Sequence, residues 1–158
     1  MIERYQTKTI KNIFHEENKL ATWLKVEITW LKYYLKFYNQ EDKLLIERLY
    51  NFHKTLNFNE FKQKCLEKEK STKHDVVAFL FTLEDYLGKD AHKIHIALTS
   101  SDIIDTSFAL LCLQAHEQVI IETKKLLEII ACFAKKYEDL SCLGRTHGQA
   151  ADITTLGY

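Results

Sequence analysis

Apolar side chains recur at steps of three and four along most of this chain, the spacing that collects them on one face of an α-helix. Leu20, Trp23, Leu24, Ile28, Leu31, Tyr34, Leu35 and Tyr38 form one such stripe, interrupted only by Glu27, and predict a helix over 21–38. Leu44, Leu45, Leu49, Phe52 and Leu56 repeat the spacing over 41–56, and a shorter amphipathic stretch follows over 59–68. Proline is absent and glycine occurs only at 88, 144, 148 and 157, so the usual chain breakers are missing from the first 87 residues. Long helices are the expectation. The lysine- and glutamate-rich run at 67–73 reads as a solvated helix end and turn.

Beyond that run, Ser71-Thr72-Lys73-His74-Asp75 precedes an apolar stretch over 76–87. Thr72 with Asp75 three residues later resembles a capping box at a helix start. Residues 94–98 read as a short β-like segment or an extended loop. They lead into Thr99-Ser100-Ser101-Asp102, where Ser101 is placed to cap a helix with Asp102 and Asp105 in its first turn. From 102 the apolar pattern runs to about 137 through Ile104, Phe108, Leu111, Ala115, Val119, Leu126, Ile129, Phe133 and Tyr137, with only Glu122 off-type. At the helical rise this is a rod of roughly 50 Å. A second row at Leu110, Leu113, Ile120, Leu127, Ile130 and Ala134 widens its apolar face, so more than one neighbour must cover it. The fold class is therefore all-α: an N-terminal helical domain over 1–101, and over 102–158 the truncated start of a central helical bundle. A chain that stops on Leu-Gly-Tyr with no cap or charged tail implies a natural protein that continues, and the bare rod is expected to make this piece associate.

Composition narrows the classes. A chain of 158 residues with 46% hydrophobic and 28% charged residues is globular rather than disordered. Twenty-two basic residues cancel twenty-two acidic ones, leaving no net field to hold a polyanion, so nucleic acid is not an expected partner. No basic run followed by an apolar segment opens the chain, and no window approaches the ~18 apolar residues of a membrane span, so the expectation is a cytoplasmic protein with no membrane partner. Cys65, Cys112, Cys132 and Cys142 match no zinc or redox spacing and read as buried or inert thiols in a reducing compartment.

Three islands, at 73–75, 95–102 and 145–149, put histidine or hydroxyl side chains beside a helix end or a glycine-flanked loop, where anions are bound. Capping alone accounts for Thr72, Asp75, Ser101 and Asp102. His147 is different: it lies between two glycines on a loop rather than on an apolar helix face, a setting that favours functional use over a packed core histidine. His15, His53, His92 and His116 read as surface or packing residues. His74, His95 and His147 with Asp75 lack the close pair that anchors a metal, so no metal is expected.

Taken together, Lys73-His74-Asp75-Val76, then His95-Ile96-Ala97-Leu98-Thr99-Ser100-Ser101-Asp102 with Asp105-Thr106, then Gly144-Arg145-Thr146-His147-Gly148-Gln149 resemble three segments of the adenylosuccinate lyase family. Arg4-Tyr5 looks like the same family's N-terminal pair. Thr-Ser-x-Asp or Gly-Arg-Thr-His alone would point only to the wider fumarase/aspartase superfamily. The His-Asp-Val and Thr-His-Gly-Gln forms narrow it.

The resemblance implies a cofactor-free β-elimination in purine biosynthesis that releases fumarate from adenylosuccinate, giving AMP, and from SAICAR, giving AICAR. It implies that His147 is the general acid that protonates the leaving nitrogen, and that His74 with Asp75 orients the purine nucleotide substrate. Thr99 and Ser100 would hold a succinyl carboxylate, Arg4 and Tyr5 the nucleotide phosphate, and Lys73 and Thr146 would complete the binding set. The family's catalytic base is a serine on a loop far downstream, and its site is shared among subunits of a homotetramer, so this chain alone is expected to be inactive. Two positions depart from the pattern: Ile153 stands where proline is usual, and Ala97 where glycine often precedes Leu-Thr-Ser. The alternatives are another lyase of the superfamily, of argininosuccinate lyase or cycloisomerase type, or a non-catalytic helical interaction module.

Overall fold

A computed structural model describes residues 2–158. After a 3-10 turn at Glu3–Tyr5 the chain forms α1 (Lys8–Ile13), α2 (Glu16–Phe37), α3 (Lys43–Thr55), α4 (Phe58–Thr72), α5 (Asp75–Leu87) and α6 (Ser100–Lys136), then the strands β1 (Ser141–Thr146) and β2 (Gln149–Thr155). The all-α class holds, with one small hairpin at the end. Contacts divide the chain into two compact units, Met1–Ala115 and His116–Tyr158.

In the first unit, short polar side chains start α3 and α4 close to where the periodicity expects them, while α2 begins at Glu16, ahead of the expected 21, with no side-chain cap from His15. Asp42 accepts from the Leu45 N–H at 2.9 Å at the head of α3, and Asn57 accepts from the Asn59 and Glu60 N–H groups at the head of α4. The stripe of α2 buries Leu20, Trp23, Leu24, Ile28, Leu31 and Leu35 against Leu45 and Leu49 of α3, Phe61 and Cys65 of α4, and Val76, Phe79 and Leu83 of α5. Aromatic edges meet faces at its centre: Trp23 and Phe61 each make a T-shaped pair with Phe79, at 5.4 and 5.8 Å between centroids. The first turns of α6 add Ile103 to this core. Leu44, counted with the stripe of α3, instead points to solvent, since Leu45 and Leu49 fill the inward positions.

Several local expectations are corrected. Thr72 does not cap α5; it is the last residue of α4, and His74 occupies the N-cap position of α5 without a side-chain capping bond. Residues 94–97 are turns rather than a β-like segment, with His95 at φ 65° and Ala97 at φ 55°. Thr99, not Ser101, precedes the first residue of α6, and its N–H donates to the Asp102 carboxylate at 2.8 Å, the backward half of a capping box. Of the cysteines, Cys65 is buried and Cys142 half-buried, while Cys112 and Cys132 are exposed.

In the second unit, residues 116–136 continue α6 with its apolar side chains largely bare, Val119, Ile121, Leu126, Ile129, Ile130 and Phe133 among them. The stretch expected to be a loop is an antiparallel hairpin, in which Thr146 pairs with Gln149 across a two-residue turn. That turn is His147-Gly148, at φ 51° and 73°, the left-handed pair that a tight hairpin with right-twisted strands requires. A bulge between Leu143 and Arg145 sits at Gly144, where a Cβ would lie 3.0 Å from the Asp152 carbonyl oxygen. Among the described residues no helix is long and apolar enough to cross a membrane.

Candidate active site

The first unit carries three of the predicted stations. Arg4 and Tyr5 lie in the N-terminal 3-10 turn, both exposed, with the Arg4 guanidinium 5.8 Å from the centre of the Tyr5 ring. Neither is buried in the core, so both present charge and hydroxyl to solvent.

The second station is the α4–α5 junction. Lys73 ends α4 in the left-handed conformation, at φ 53°, which turns the chain sharply enough for α5 to begin two residues later. The Thr72 hydroxyl holds this corner by donating to the His74 carbonyl at 3.1 Å and accepting from the His74 N–H at 3.4 Å. His74 Nδ1 then stands 3.5 Å from Asp75 Oδ1, and the same carboxylate oxygen accepts from the Val76 N–H at 2.8 Å. Lys73, His74 and Asp75 are all exposed, at the electropositive end of a helix whose N-cap side chain makes no bond to it. The arrangement can grip an anionic or hydrogen-bonding ligand with one cation, one imidazole and free helix N–H groups.

At the third station, Thr99 and Ser100 start α6. Asp102 uses its carboxylate on the Thr99 N–H, and neither the Thr99 nor the Ser100 hydroxyl has a hydrogen-bond partner among the described residues. Two adjacent free hydroxyls at a helix N-terminus are suited to a carboxylate. Among the described residues no hydrogen bond or ion pair joins the three stations to one another.

The second unit carries Thr146 and His147 on its hairpin. Thr146 is the last residue of β1, and His147 is the first residue of the turn, exposed and without a hydrogen-bond partner among the described residues. An exposed imidazole with neither ring nitrogen hydrogen-bonded among the described residues can exchange a proton with a bound molecule.

One feature of the first unit escaped the sequence reading. Glu27, the single off-type position in the apolar stripe of α2, is fully buried. Its Oε2 accepts the His95 backbone N–H at 3.0 Å, and its Oε1 lies 2.6 Å from His95 Nδ1. Burial pushes the Glu27 carboxyl above the usual carboxylate range, and the bonds from His95 oppose that rise. One helical turn on, Trp30 Nε1–H donates to the Ile96 carbonyl at 2.7 Å. The signal was present as a charge inside an apolar stripe, which demands a buried partner. The partner lies 68 residues away, where spacing cannot point. Among the described residues no group of three or more His, Cys, Asp or Glu is placed to hold a metal ion.

Comparison with known proteins finds relatives along almost the whole chain. A family model described as "Lyase" matches residues 3–158. The chain is 37% identical to adenylosuccinate lyase of Aquifex aeolicus (strain VF5) and 34% identical to that of Bacillus subtilis (strain 168), in each case over 99% of this chain and 35% of the relative. It thus spans about a third of the length of the curated relatives it matches. Among solved structures, fumarate lyase from Mesorhizobium sp. BNC1 superposes with a TM-score of 0.81 at 16% identity, covering 94% of this chain and 34% of that one. β-Carboxy-cis,cis-muconate cycloisomerase from Acinetobacter calcoaceticus sp. ADP1 gives 0.76 at 20% identity, covering 96% and 36%. At these identities the two structures establish a shared fold. With the family match running over almost every residue, the chain belongs to the lyase family.

Proposed function

We propose that the protein carrying this chain is an adenylosuccinate lyase, eliminating fumarate from adenylosuccinate to give AMP and from SAICAR to give AICAR. The observation that carries this reading is the end-to-end likeness to adenylosuccinate lyases at 33–37% identity. Lys73-His74-Asp75 is the part of the chain best suited to the nucleotide half of such a substrate.

In this reading a proton leaves the carbon beside a succinyl carboxylate, the carbon–nitrogen bond breaks, and the nitrogen is protonated. His147 is the general acid for the last step, an assignment supported by its exposed imidazole on a constrained turn. Thr99 and Ser100 hold the carboxylate through their unengaged hydroxyls, His74 with Asp75 and Lys73 orient the nucleotide, Thr146 contacts the substrate beside His147, and Arg4 with Tyr5 bind phosphate. The base is a residue outside these 158, and the chain alone does not turn over substrate. We assign the bare apolar face of α6 to the core of a homotetramer, where copies of the same helix would cover it. The working compartment is the cytoplasm.

The test uses the protein at its encoded length, supplied separately with adenylosuccinate and with argininosuccinate, following fumarate. Fumarate from adenylosuccinate alone is the expected result, together with weakened AMP affinity in Arg4→Ala and His74→Ala. Fumarate from argininosuccinate instead, or AMP affinity unchanged in both variants, would assign the chain to another branch of the superfamily.

A further inference from the structure

The segment before Thr99 and Ser100 has an unusual backbone. His95 and Ala97 both adopt the left-handed conformation, although neither is glycine, and Ile96 lies between them. Such residues persist only where surrounding contacts over-determine them. Here the contacts come from two residues one turn apart on α2. The Glu27 carboxylate takes both the backbone N–H and the ring of His95, and Trp30 takes the carbonyl of Ile96. Glu27 is fully buried and Ile94, at the start of the segment, is buried in the same core, so the loop is anchored from inside.

The geometry also fixes the histidine. With Oε2 of Glu27 occupied by a backbone donor, Oε1 is matched by an Nδ1–H on His95, which leaves Nε2 as the ring's free nitrogen. The His95 side chain is 19% exposed, so that nitrogen is presented from a mostly enclosed ring.

We propose that Glu27, assisted by Trp30, is a positioning residue for the carboxylate-binding start of α6: it fixes the turn at 94–97 and the ring nitrogen that His95 presents, so that Thr99 and Ser100 meet the substrate already in place. This rests on the fumarate-elimination reading for its consequence in catalysis, but not for its structural content. Neither α2 residue needs to touch substrate. Their effect passes through the loop, as a group that orients a reacting or binding side chain does.

The test is Glu27→Gln and Glu27→Asp in the protein at its encoded length, with steady-state fumarate release, AMP affinity, and the His95 tautomer by 15N NMR. Glutamine keeps the volume but offers one oxygen where His95 presents two donors. The expected result is a fall in kcat of roughly 100-fold in Glu27→Gln, the scale of an ångström-sized misplacement. AMP affinity is expected to be unchanged, the His95 ring to shift to the Nε2–H form, and Glu27→Asp to recover part of the loss because it retains the charge. Retention of the Nδ1–H form in Glu27→Gln, or a kcat within threefold of the parent, overturns the proposal. If the parent protein releases no fumarate from adenylosuccinate, the functional reading fails and the tautomer measurement alone decides this one. Should Glu27→Gln not fold, Trp30→Phe replaces it. An unchanged unfolding midpoint with a roughly fivefold loss of kcat, the worth of one hydrogen bond, supports the proposal, and an unchanged kcat overturns it.

Discussion

The two ends of α6 have the same kind of sequence and opposite surroundings. In the first unit the helix buries Ile103, Ser107 and Leu111, with Leu111 4% exposed, and Ile103 joins the apolar core built by α2 to α5. In the second unit the same period of three and four continues, yet Ile129 is 53% and Ile130 55% exposed. Helical periodicity thus fixes which residues share a face. Whether that face is buried depends on what else is present to cover it.

The comparison is open to attack at several points. The largest effect is expected from Phe79→Ala, which empties the aromatic centre of the first unit and should cost about 3–5 kcal/mol in denaturant unfolding of the chain. Ile129→Ala, of the same chemical kind on the bare stretch, should change the same measurement by no more than about 0.5 kcal/mol. Equal costs would mean that the second unit is covered after all.

A second difference is that, among the described residues, the buried carboxyl side chain, Glu27, lies in the first unit. Burial raises the pKa of Glu27 in the fold, so the folded state binds more protons than the unfolded one between the two values. The contribution of Glu27 to stability is therefore complete below the ordinary glutamate value and is lost as pH rises through the folded value. The difference in unfolding free energy between the parent chain and Glu27→Gln, taken from pH 4 to 8, should fall as pH rises, with the slopes of the other carboxyls cancelling. A difference that grows over this range would contradict the assignment.

A modest effect of the opposite sign concerns Ala97, held at φ 55° in the position where the family pattern favours glycine. Ala97→Gly relieves a left-handed alanine and should stabilise the first unit by about 0.5–1 kcal/mol, read as a higher urea midpoint. Destabilisation would indicate that the loop tolerates alanine without strain.

Much of this was legible from residues alone, and the failures have physical reasons. Helices α2 to α6 followed from periodicity, whereas α1, six residues with no apolar stripe, did not, and the caps at Asp42 and Asn57 emerged only with the structure. Three consecutive hydroxyl residues at 99–101 can each cap a helix, so spacing put the cap of α6 at Ser101, two residues beyond Thr99, whose N–H the Asp102 carboxylate reaches. The hairpin went unseen because its turn is His-Gly rather than Asn-Gly, and because Gly144 and Arg145 interrupt the alternation of β1. Of the site, the islands of hydroxyls and histidines were visible as local motifs. The brace from Glu27 and Trp30 was not, since its bonds join residues 68 and 66 positions apart.

The proton-donor role of His147 is the claim on which the functional account turns. Its most direct test is the steady-state rate of His147→Gln in the protein at its encoded length, with adenylosuccinate as substrate. Loss of a general acid should lower kcat by about 10²–10⁴-fold while KM stays close to that of the parent. A variant that keeps its kcat within a few fold would contradict the account.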